Sequence, residues 1–233
     1  MAETRLPDLP PRLFRYCRLD RPNDVENEID ALRKRYIYCS TYKLMNDPME
    51  GYYLPSARLK KEPEWRQTYR SILEAKRATG ISCFSEMFNN EIMWAHYADN
   101  FRGICLGYSA AKLRDNLPPS ARLSRIAYAD APLRLSKHER SNVIAAAQKI
   151  LSQKKYNWSY EREWRVLADY PGQLPYQGDI ITEVYFGFRI SEDHKQAILS
   201  GMGARGINFK QMKIAGYSHT PAKIVTPKLV RYL

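Results

Sequence analysis

The hydrophobic and polar positions along the chain change between a period of two and a helical period, which predicts a protein of mixed α and β structure. Short apolar or aromatic runs predict strands at Leu13 to Arg18, Tyr36 to Ser40, Ile81 to Phe84, Gly103 to Tyr108, Leu123 to Tyr128, Trp158 to Leu167, Ile180 to Phe186, Gln211 to Tyr217 and Lys228 to Leu233. Because no repeat or clear linker interrupts this order, we expect a single α+β domain over residues 1–233. It should have mixed or antiparallel sheets with flanking helices.

Residue types that favour helix ends mark the helices between these strands. The predicted starts are Asn23 with Glu26, Pro63, Asn89 or Asn90, Ser136 with Glu139, and Ser191. The helix from Pro63 to Gly80 is expected to bury Trp65, Tyr69, Ile72 and Leu73. The helix from Ser136 is predicted to be the longest and to end near Lys154 and Lys155.

The net charge of the chain favours binding to polyanions. There are 37 Lys and Arg residues against 25 Asp and Glu, which gives a formal net charge of +12. Contact with nucleic acid is one interpretation, since neutralising phosphates releases counterions, and an ordinary basic surface is the other. No apolar run approaches the ~20 residues of a membrane helix, and the first residues do not resemble a signal peptide. We therefore expect a cytoplasmic protein with no membrane partner.

The cysteines suggest packing rather than chemistry. Cys17, Cys39, Cys83 and Cys105 lie far apart in largely apolar runs, and no C-x-x-C pair occurs. Free cysteines acting as small hydrophobic residues are the expected state, and no metal site is expected. The chain also lacks the glycine-rich motifs of Rossmann and P-loop proteins and the nucleophile elbow of hydrolases.

The most informative segment is the predicted strand that starts at Trp158. Because successive strand side chains point to opposite faces, Glu161, Glu163 and Arg165 would share one face. One carboxylate can then act while the other positions a partner, with the two about 7 Å apart. The alternative is a solvated or ion-paired face on which Arg165 neutralises Glu163.

Two further segments carry candidate side chains. The sequence from Asn46 to Glu50 has turn chemistry, with Asp47 and Pro48 next to the Glu50 carboxylate. His96 lies on a short aromatic helix, where it can serve as an acid or base or simply hold a loop in place.

Taken in order, these segments resemble a bacterial family known as domain of unknown function twenty-nine seventy-one. The matching segments are LFRYCR, LMNDPMEG, ISCFSE, IMWAHYADNFRGICLGY and YEREWR, which span Leu13 to about Arg189. Their order and spacing make the resemblance specific, but the family name implies no activity.

A second resemblance implies a mechanism. The first strand, first helix and second strand are similar in layout to small ADP-ribosyltransferases, including toxins that modify nucleic acids. The resemblance implies an ADP-ribosyltransferase-like core that uses NAD as substrate, with Glu163, or else Glu161, as the catalytic carboxylate. It places NAD against the following residues: Arg15 or Tyr16 from the first strand, Ser40, Thr41 or Tyr42 from the second, and Asn46 and Trp94.

The implied chemistry is cleavage of the nicotinamide–ribose bond, followed by transfer to an acceptor or to water. A carboxylate would stabilise the cation-like ribose and orient the nucleophile. Arg15 would bind the pyrophosphate, and Tyr16, Tyr42 or Trp94 would stack on a ring.

Two other functions compete with this one. The first is a nucleic-acid-binding module in a defence or toxin–antitoxin system, since basic and aromatic residues interleave from Lys154 to Trp158. The second is a metal-dependent nuclease with magnesium on Asp47, Glu50, Glu161 and Glu163. An acceptor nucleic acid and an antitoxin or defence partner are therefore the expected macromolecular partners.

Overall fold

The structure is a computed structural model that describes residues 8–202 and 206–224. It confirms the α+β class, with a mixed sheet and flanking helices. The described residues cluster into two compact units: unit 1 comprises 8–35, 84–116, 176–202 and 206–224, and unit 2 comprises 36–83 and 117–175. Each unit is assembled from separate stretches of chain, and the single domain over 1–233 stays a prediction.

The elements are numbered in chain order. The strands are β1 Arg12–Cys17, β2 Tyr36–Cys39, β3 Tyr53–Pro55, β4 Gly80–Ser85, β5 Ile104–Ser109, β6 Ala121–Arg125, β7 Ala127–Ala129, β8 Leu133–Leu135, β9 Gln153–Lys155, β10 Glu163–Ala168, β11 Gly172–Pro175, β12 Ile181–Phe186, β13 Asn208–Ala215 and β14 Ser218–Lys223. The α-helices are α1 Asp24–Lys34, α2 Ala57–Lys60, α3 Trp65–Ala78, α4 Glu91–Tyr97, α5 Ala110–Asp115, α6 Val143–Ile150 and α7 Glu192–Met202. Single 3-10 turns occur at Tyr42–Leu44, Lys137–Ser141 and Tyr156–Glu161.

Unit 1 is built on the strands β14, β13, β12, β5 and β1, which lie side by side in that order. Neighbouring strands are antiparallel except β12 and β13, which are parallel. Helix α4 packs its buried Trp94 into a core that contains Phe14, Cys105, Tyr185 and Met212. This core is dense in aromatic rings, so side chains that enter it are held in place by packing.

Unit 2 contains β4, whose first four residues belong to it, with β10 beside β4 and β6 beside β10. Strands β6 and β10 are antiparallel, and three short two-stranded pairs, β2 with β11, β3 with β8 and β7 with β9, complete the unit. Helices α2, α3 and α6 meet in one apolar cluster through Leu59, Ile72, Ala146 and Ile150. The strand β10 is buried along its whole length, which places its polar side chains in the interior.

The predicted strand from Trp158 to Leu167 is wrong in its first half. Tyr156–Glu161 form a 3-10 turn, and Arg162 has a φ of 45°, so the strand begins only at Glu163. Glu161 and Glu163 therefore do not share a strand face. Glu163 and Arg165 do share one, as predicted from the alternation of side chains.

The predicted longest helix is also shorter than expected. The capping box of Ser136 and Glu139 is present, but it opens the 3-10 turn Lys137–Ser141. Helix α6 starts after Asn142, which accepts a hydrogen bond from the Ala145 amide. It ends before β9, so the segment around Lys154 is a strand and not a helix end. The longest α-helix of the described residues is α3.

Several smaller expectations also differ from the structure. Asn23 precedes α1 with a φ of 69° and makes no side-chain cap, and Tyr69 on α3 is exposed. The predicted strand from Leu123 to Tyr128 divides at Ile126 into β6 and β7. The caps by Asn90 and Ser191 are confirmed. The predicted strand from Lys228 to Leu233 lies outside the described residues.

Candidate functional site

The turn that follows β2 in unit 2 fixes the position of Glu50. The buried Asp47 accepts a hydrogen bond from the Met49 amide at 2.9 Å, and its carbonyl accepts one from the Glu50 amide at 3.0 Å. Gly51 takes the left-handed conformation with a φ of 70°, and Lys76 donates to its carbonyl at 2.6 Å. These contacts turn the Glu50 side chain inward, where it is buried.

Arg165 on β10 holds Glu50 and Glu163 together. Its Nε and Nη2 donate to the two carboxylate oxygens of Glu163, at 2.7 and 3.1 Å. Its Nη1 and Nη2 donate to the two oxygens of Glu50, at 2.7 and 2.9 Å, and Nη1 also donates to the Leu151 carbonyl at 2.7 Å. The side chain is 0% exposed, so every N–H of the guanidinium has a partner inside the protein.

Lys154 on β9 forms the second half of the charged group. Its ammonium donates to the Glu161 carboxylate at 2.5 Å and to that of Glu163 at 3.2 Å. It also lies 4.6 Å from the centre of the Trp158 ring, a cation–π contact. Lys154 therefore joins the two glutamates that the sequence singled out, although they lie on different elements.

We name this group of five buried side chains the charge cluster: Glu50, Lys154, Glu161, Glu163 and Arg165. Burial by itself would raise the pKa of Glu163, but Arg165 and Lys154 outweigh burial and lower that pKa to about 2. The Cys83 thiol also contacts this carboxylate, and burial followed by Glu163 raises the pKa of Cys83. Three carboxylates face two cations within the charge cluster, and the Lys76 ammonium, which interacts electrostatically with Glu50, supplies a third cation at its edge.

A cleft of about 170 Å³ lies next to the charge cluster. Its lining includes the exposed side chains of Met49 and Tyr52, the segment 129–132, and the strand residues Gln153, Lys154 and Lys155. Lys154 belongs both to this lining and to the charge cluster. Its side chain is only 5% exposed, and the three glutamates of the charge cluster do not line the cleft.

The sequence-predicted residues on β1 and α4 belong to unit 1 and take part in its packing. Arg15 pairs with Glu28 at 3.3 Å, and Tyr16 donates to the Met87 carbonyl at 2.8 Å. Trp94 is fully buried and donates to the Phe88 carbonyl at 2.7 Å. His96 lies on the exposed side of α4. Their roles in NAD binding and acid–base chemistry stay predictions.

The other predicted residues belong to unit 2, near the start of the turn that carries Glu50. Ser40 pairs with Ile81 of β4, and Thr41 precedes the 3-10 turn of Tyr42. The Tyr42 ring lies 4.8 Å from the Lys76 ammonium, and Asn46 is exposed. Their contact with NAD likewise stays a prediction.

Sequence reasoning missed the part that Lys154 plays. The sequence places Lys154 near a helix end and in a basic and aromatic stretch, yet the residue is buried and binds both glutamates. No local pattern could have revealed this, because Glu161 lies on a 3-10 turn that has no strand alternation. The sequence indicates Glu50 as a turn carboxylate and a candidate magnesium ligand but does not reveal its partner Arg165, which lies 115 residues away in the chain.

Metal ligation has no geometric support in the described ranges. Within residues 8–202 and 206–224, no group of three His, Cys, Asp or Glu side chains is arranged to hold a metal ion. Asp47, one of the proposed magnesium ligands, accepts a backbone hydrogen bond, and the other three are held by Lys154 or Arg165. The metal-dependent nuclease stays a prediction.

The fold and the site together define an α+β protein that contains a buried cluster of glutamates and cations. Residues 93–166, about a third of the chain, match the model of a family described as "Protein of unknown function (DUF2971)", and this match supports the family resemblance. The matched segment contains α4 from Met93 onwards and four of the five residues of the charge cluster. The searches of curated proteins and of solved structures found no match. No described helix is both long and apolar enough to cross a membrane.

Proposed function

We propose that the charge cluster is the reaction centre of an NAD-cleaving enzyme of the ADP-ribosyltransferase type. The observation that supports this proposal most directly is the buried, ionised carboxylate of Glu163, which is bound by Lys154, a residue that also lines a cleft. Three motif segments converge on this cluster: the turn with Glu50, β4 with Cys83, and the segment with Glu161, Glu163 and Arg165.

A buried, ionised carboxylate suits the chemistry of NAD. When the bond between nicotinamide and ribose breaks, its electron pair leaves with the ring nitrogen, and the anomeric carbon of the ribose becomes cationic. Fixed carboxylates in a water-poor site stabilise such a charge strongly, because they need no reorganisation during the reaction. The depressed pKa of Glu163, about 2, keeps its carboxylate ionised for this purpose at neutral pH.

The position of the Lys154 side chain determines whether a substrate can contact the carboxylates. Its ammonium binds both Glu161 and Glu163, where a cationic ribose would have to bind. We therefore expect Lys154 to swing towards the cleft that it lines, while Arg165 keeps Glu163 in place through its two-point contact.

The second step needs a nucleophile. A hydroxyl or amine of an acceptor attacks the anomeric carbon, and a carboxylate of the cluster takes the proton that this group loses. Nicotinamide leaves as a neutral molecule, and the positive charge of its ring in NAD is cancelled by the electron pair of the broken bond. Water in place of the acceptor gives hydrolysis of NAD instead of transfer.

The experiment compares the wild-type protein with Glu163→Gln and Glu161→Gln in the presence of NAD labelled in its adenylate half. Nicotinamide release is measured by chromatography, and label transfer is measured on RNA, DNA and protein. Glu192→Gln serves as matched control, because Glu192 is an exposed glutamate on α7. Loss of a preorganised charge should lower the rate of nicotinamide release about 100-fold or more in Glu163→Gln.

Circular dichroism establishes that each variant is folded before the rates are compared. A folded wild-type protein that releases no nicotinamide and transfers no label would overturn the proposal. Cluster variants that are as active as Glu192→Gln would show that the reaction takes place elsewhere. A toxin or phage-defence role, together with an antitoxin or defence partner, stays a prediction.

A further inference from the structure

The segment 58–77 carries the densest positive charge of unit 2. It contains seven Lys and Arg residues and three glutamates, and it forms α2, the following turn and most of α3. Both helices rest on the same apolar cluster, through Leu59 and Ile72. The segment is therefore a fixed part of the unit's surface rather than a tail.

Two of the three glutamates in this segment are paired with a cation from outside it. Arg140, from the 3-10 turn Lys137–Ser141, donates to the carboxylates of both Glu62 and Glu64. Of the cations, Lys76 points inward to the Gly51 carbonyl. The others are exposed and form no ion pair with any described residue: Arg58, Lys60, Lys61, Arg66, Arg70 and Arg77.

The arginines of α3 form a row. At 100° per residue, Arg66, Arg70 and Arg77 lie within about 40° of one another around the helix axis, and Glu74 lies at the edge of the row. The rise of about 1.5 Å per residue separates them along the axis by about 6 and 10 Å. A row of cations with this spacing can neutralise successive charges of an extended polyanion.

An exposed aromatic ring accompanies the row. Tyr69 is 47% exposed, and its ring packs at 5.9 Å against the edge of Trp65. A second ring, that of Tyr53, lies 6.5 Å away. The ring is thus supported from inside, while part of its surface stays open beside Arg66 and Arg70.

We propose that this surface binds single-stranded nucleic acid. The arginine row would neutralise phosphates, and Tyr69 would stack on an unpaired base, which a duplex cannot offer without opening. This inference rests on the proposed function in one respect only: if the protein transfers ADP-ribose, single-stranded nucleic acid is the class of acceptor. Binding itself requires no NAD.

The test measures binding in the absence of NAD by fluorescence anisotropy. The probes are a labelled single-stranded oligothymidine of about 20 nucleotides and the duplex that it forms with oligoadenosine. The variant Arg66→Ser/Arg70→Ser/Arg77→Ser is compared with Arg21→Ser/Lys112→Ser/Lys213→Ser, which removes the same charge from exposed positions of unit 1. Titrations are repeated between about 50 and 200 mM salt.

The arginine-row variant should bind single strands at least about tenfold more weakly than the control at low salt. Its slope of log affinity against log salt should be smaller by about 2, the value for three lost phosphate contacts on a single strand. Tyr69→Leu should weaken binding to the single strand about fivefold or more and leave duplex binding unchanged.

Equal salt slopes for the two triple variants would overturn the inference. So would duplex binding as tight as single-strand binding together with no effect of Tyr69→Leu, because the surface would then recognise charge alone. Vesicles of phosphatidylserine and phosphatidylcholine form a separate arm, and binding to them but not to the oligonucleotide would identify a membrane as the partner. Because these measurements use no NAD, their outcome is independent of whether the protein releases nicotinamide.

Discussion

The substitution Arg165→Met tests whether the charge cluster holds unit 2 together. Methionine keeps a long, unbranched side chain at this position, but it supplies no donor to Glu50 or Glu163. Two buried carboxylates then lose their two-point partner. Removing one partner from a buried ion pair usually lowers the free energy of unfolding by about 3–5 kcal/mol.

The structure gives an independent magnitude for one of these carboxylates. The pKa of Glu163 falls from an ordinary value of 4.5 to about 2. At 1.36 kcal/mol per pKa unit, its surroundings favour the ionised form by roughly 3 kcal/mol net of the opposing effect of burial, and Arg165 is the largest contributor among the cations. Glu50 adds further charge-assisted hydrogen bonds, so we expect the variant to lose about 3–5 kcal/mol of unfolding free energy.

The loss should also depend on pH. In the wild type, the pKa of Glu163 is lower in the folded state than in the unfolded chain. The contribution of Glu163 to the free energy of unfolding is therefore fully present above its unfolded-state pKa and is lost as the pH falls towards 2. In Arg165→Met, burial would raise the pKa of the same carboxyl. It would then take up a proton under mildly acidic conditions, and the difference between the two proteins should shrink on acidification.

The assay is urea unfolding followed by circular dichroism, at neutral pH and in mild acid. Arg114→Met is the matched control, because Arg114 pairs with Asp115 on the surface and its loss should leave the stability unchanged. Two results would refute the reasoning: a neutral-pH cost no larger than that of the control, or a cost that does not decrease in acid.

Two further predictions concern single buried contacts. Neither ring nitrogen of His219 has a hydrogen-bond partner among the residues described, and burial lowers its pKa. The free energy of unfolding should therefore fall as the pH drops below about 6.5. Urea unfolding at two pH values should show a smaller fall for His219→Phe. An unchanged pH dependence would contradict this. A Cβ at Gly51 would lie 2.8 Å from the Lys76 side chain, so Gly51→Ala should cost at least about 1 kcal/mol more than Gly216→Ala, a left-handed glycine with open space around it. Equal costs would show that Lys76 yields freely.

The sequence by itself determined the α+β class and the position of most strands. Apolar alternation located β1, β4, β5 and β12 to within one or two residues. The same alternation placed Glu163 and Arg165 on one face of β10, where they do form an ion pair. Such predictions succeed because the direction of a strand side chain depends only on its own position.

Only the tertiary structure decided what the charged residues do together. Lys154 was expected near a helix end on a basic surface, but β9 carries it into the interior, where it meets Glu161 and Glu163. Glu50 reaches Arg165 across 115 residues of chain, through a turn whose side-chain direction depends on Asp47 and Lys76. No local sequence pattern predicts these contacts. A buried charge is tolerated only when a partner of opposite charge lies next to it, and here that partner is distant in sequence and is positioned by the packing of the whole unit.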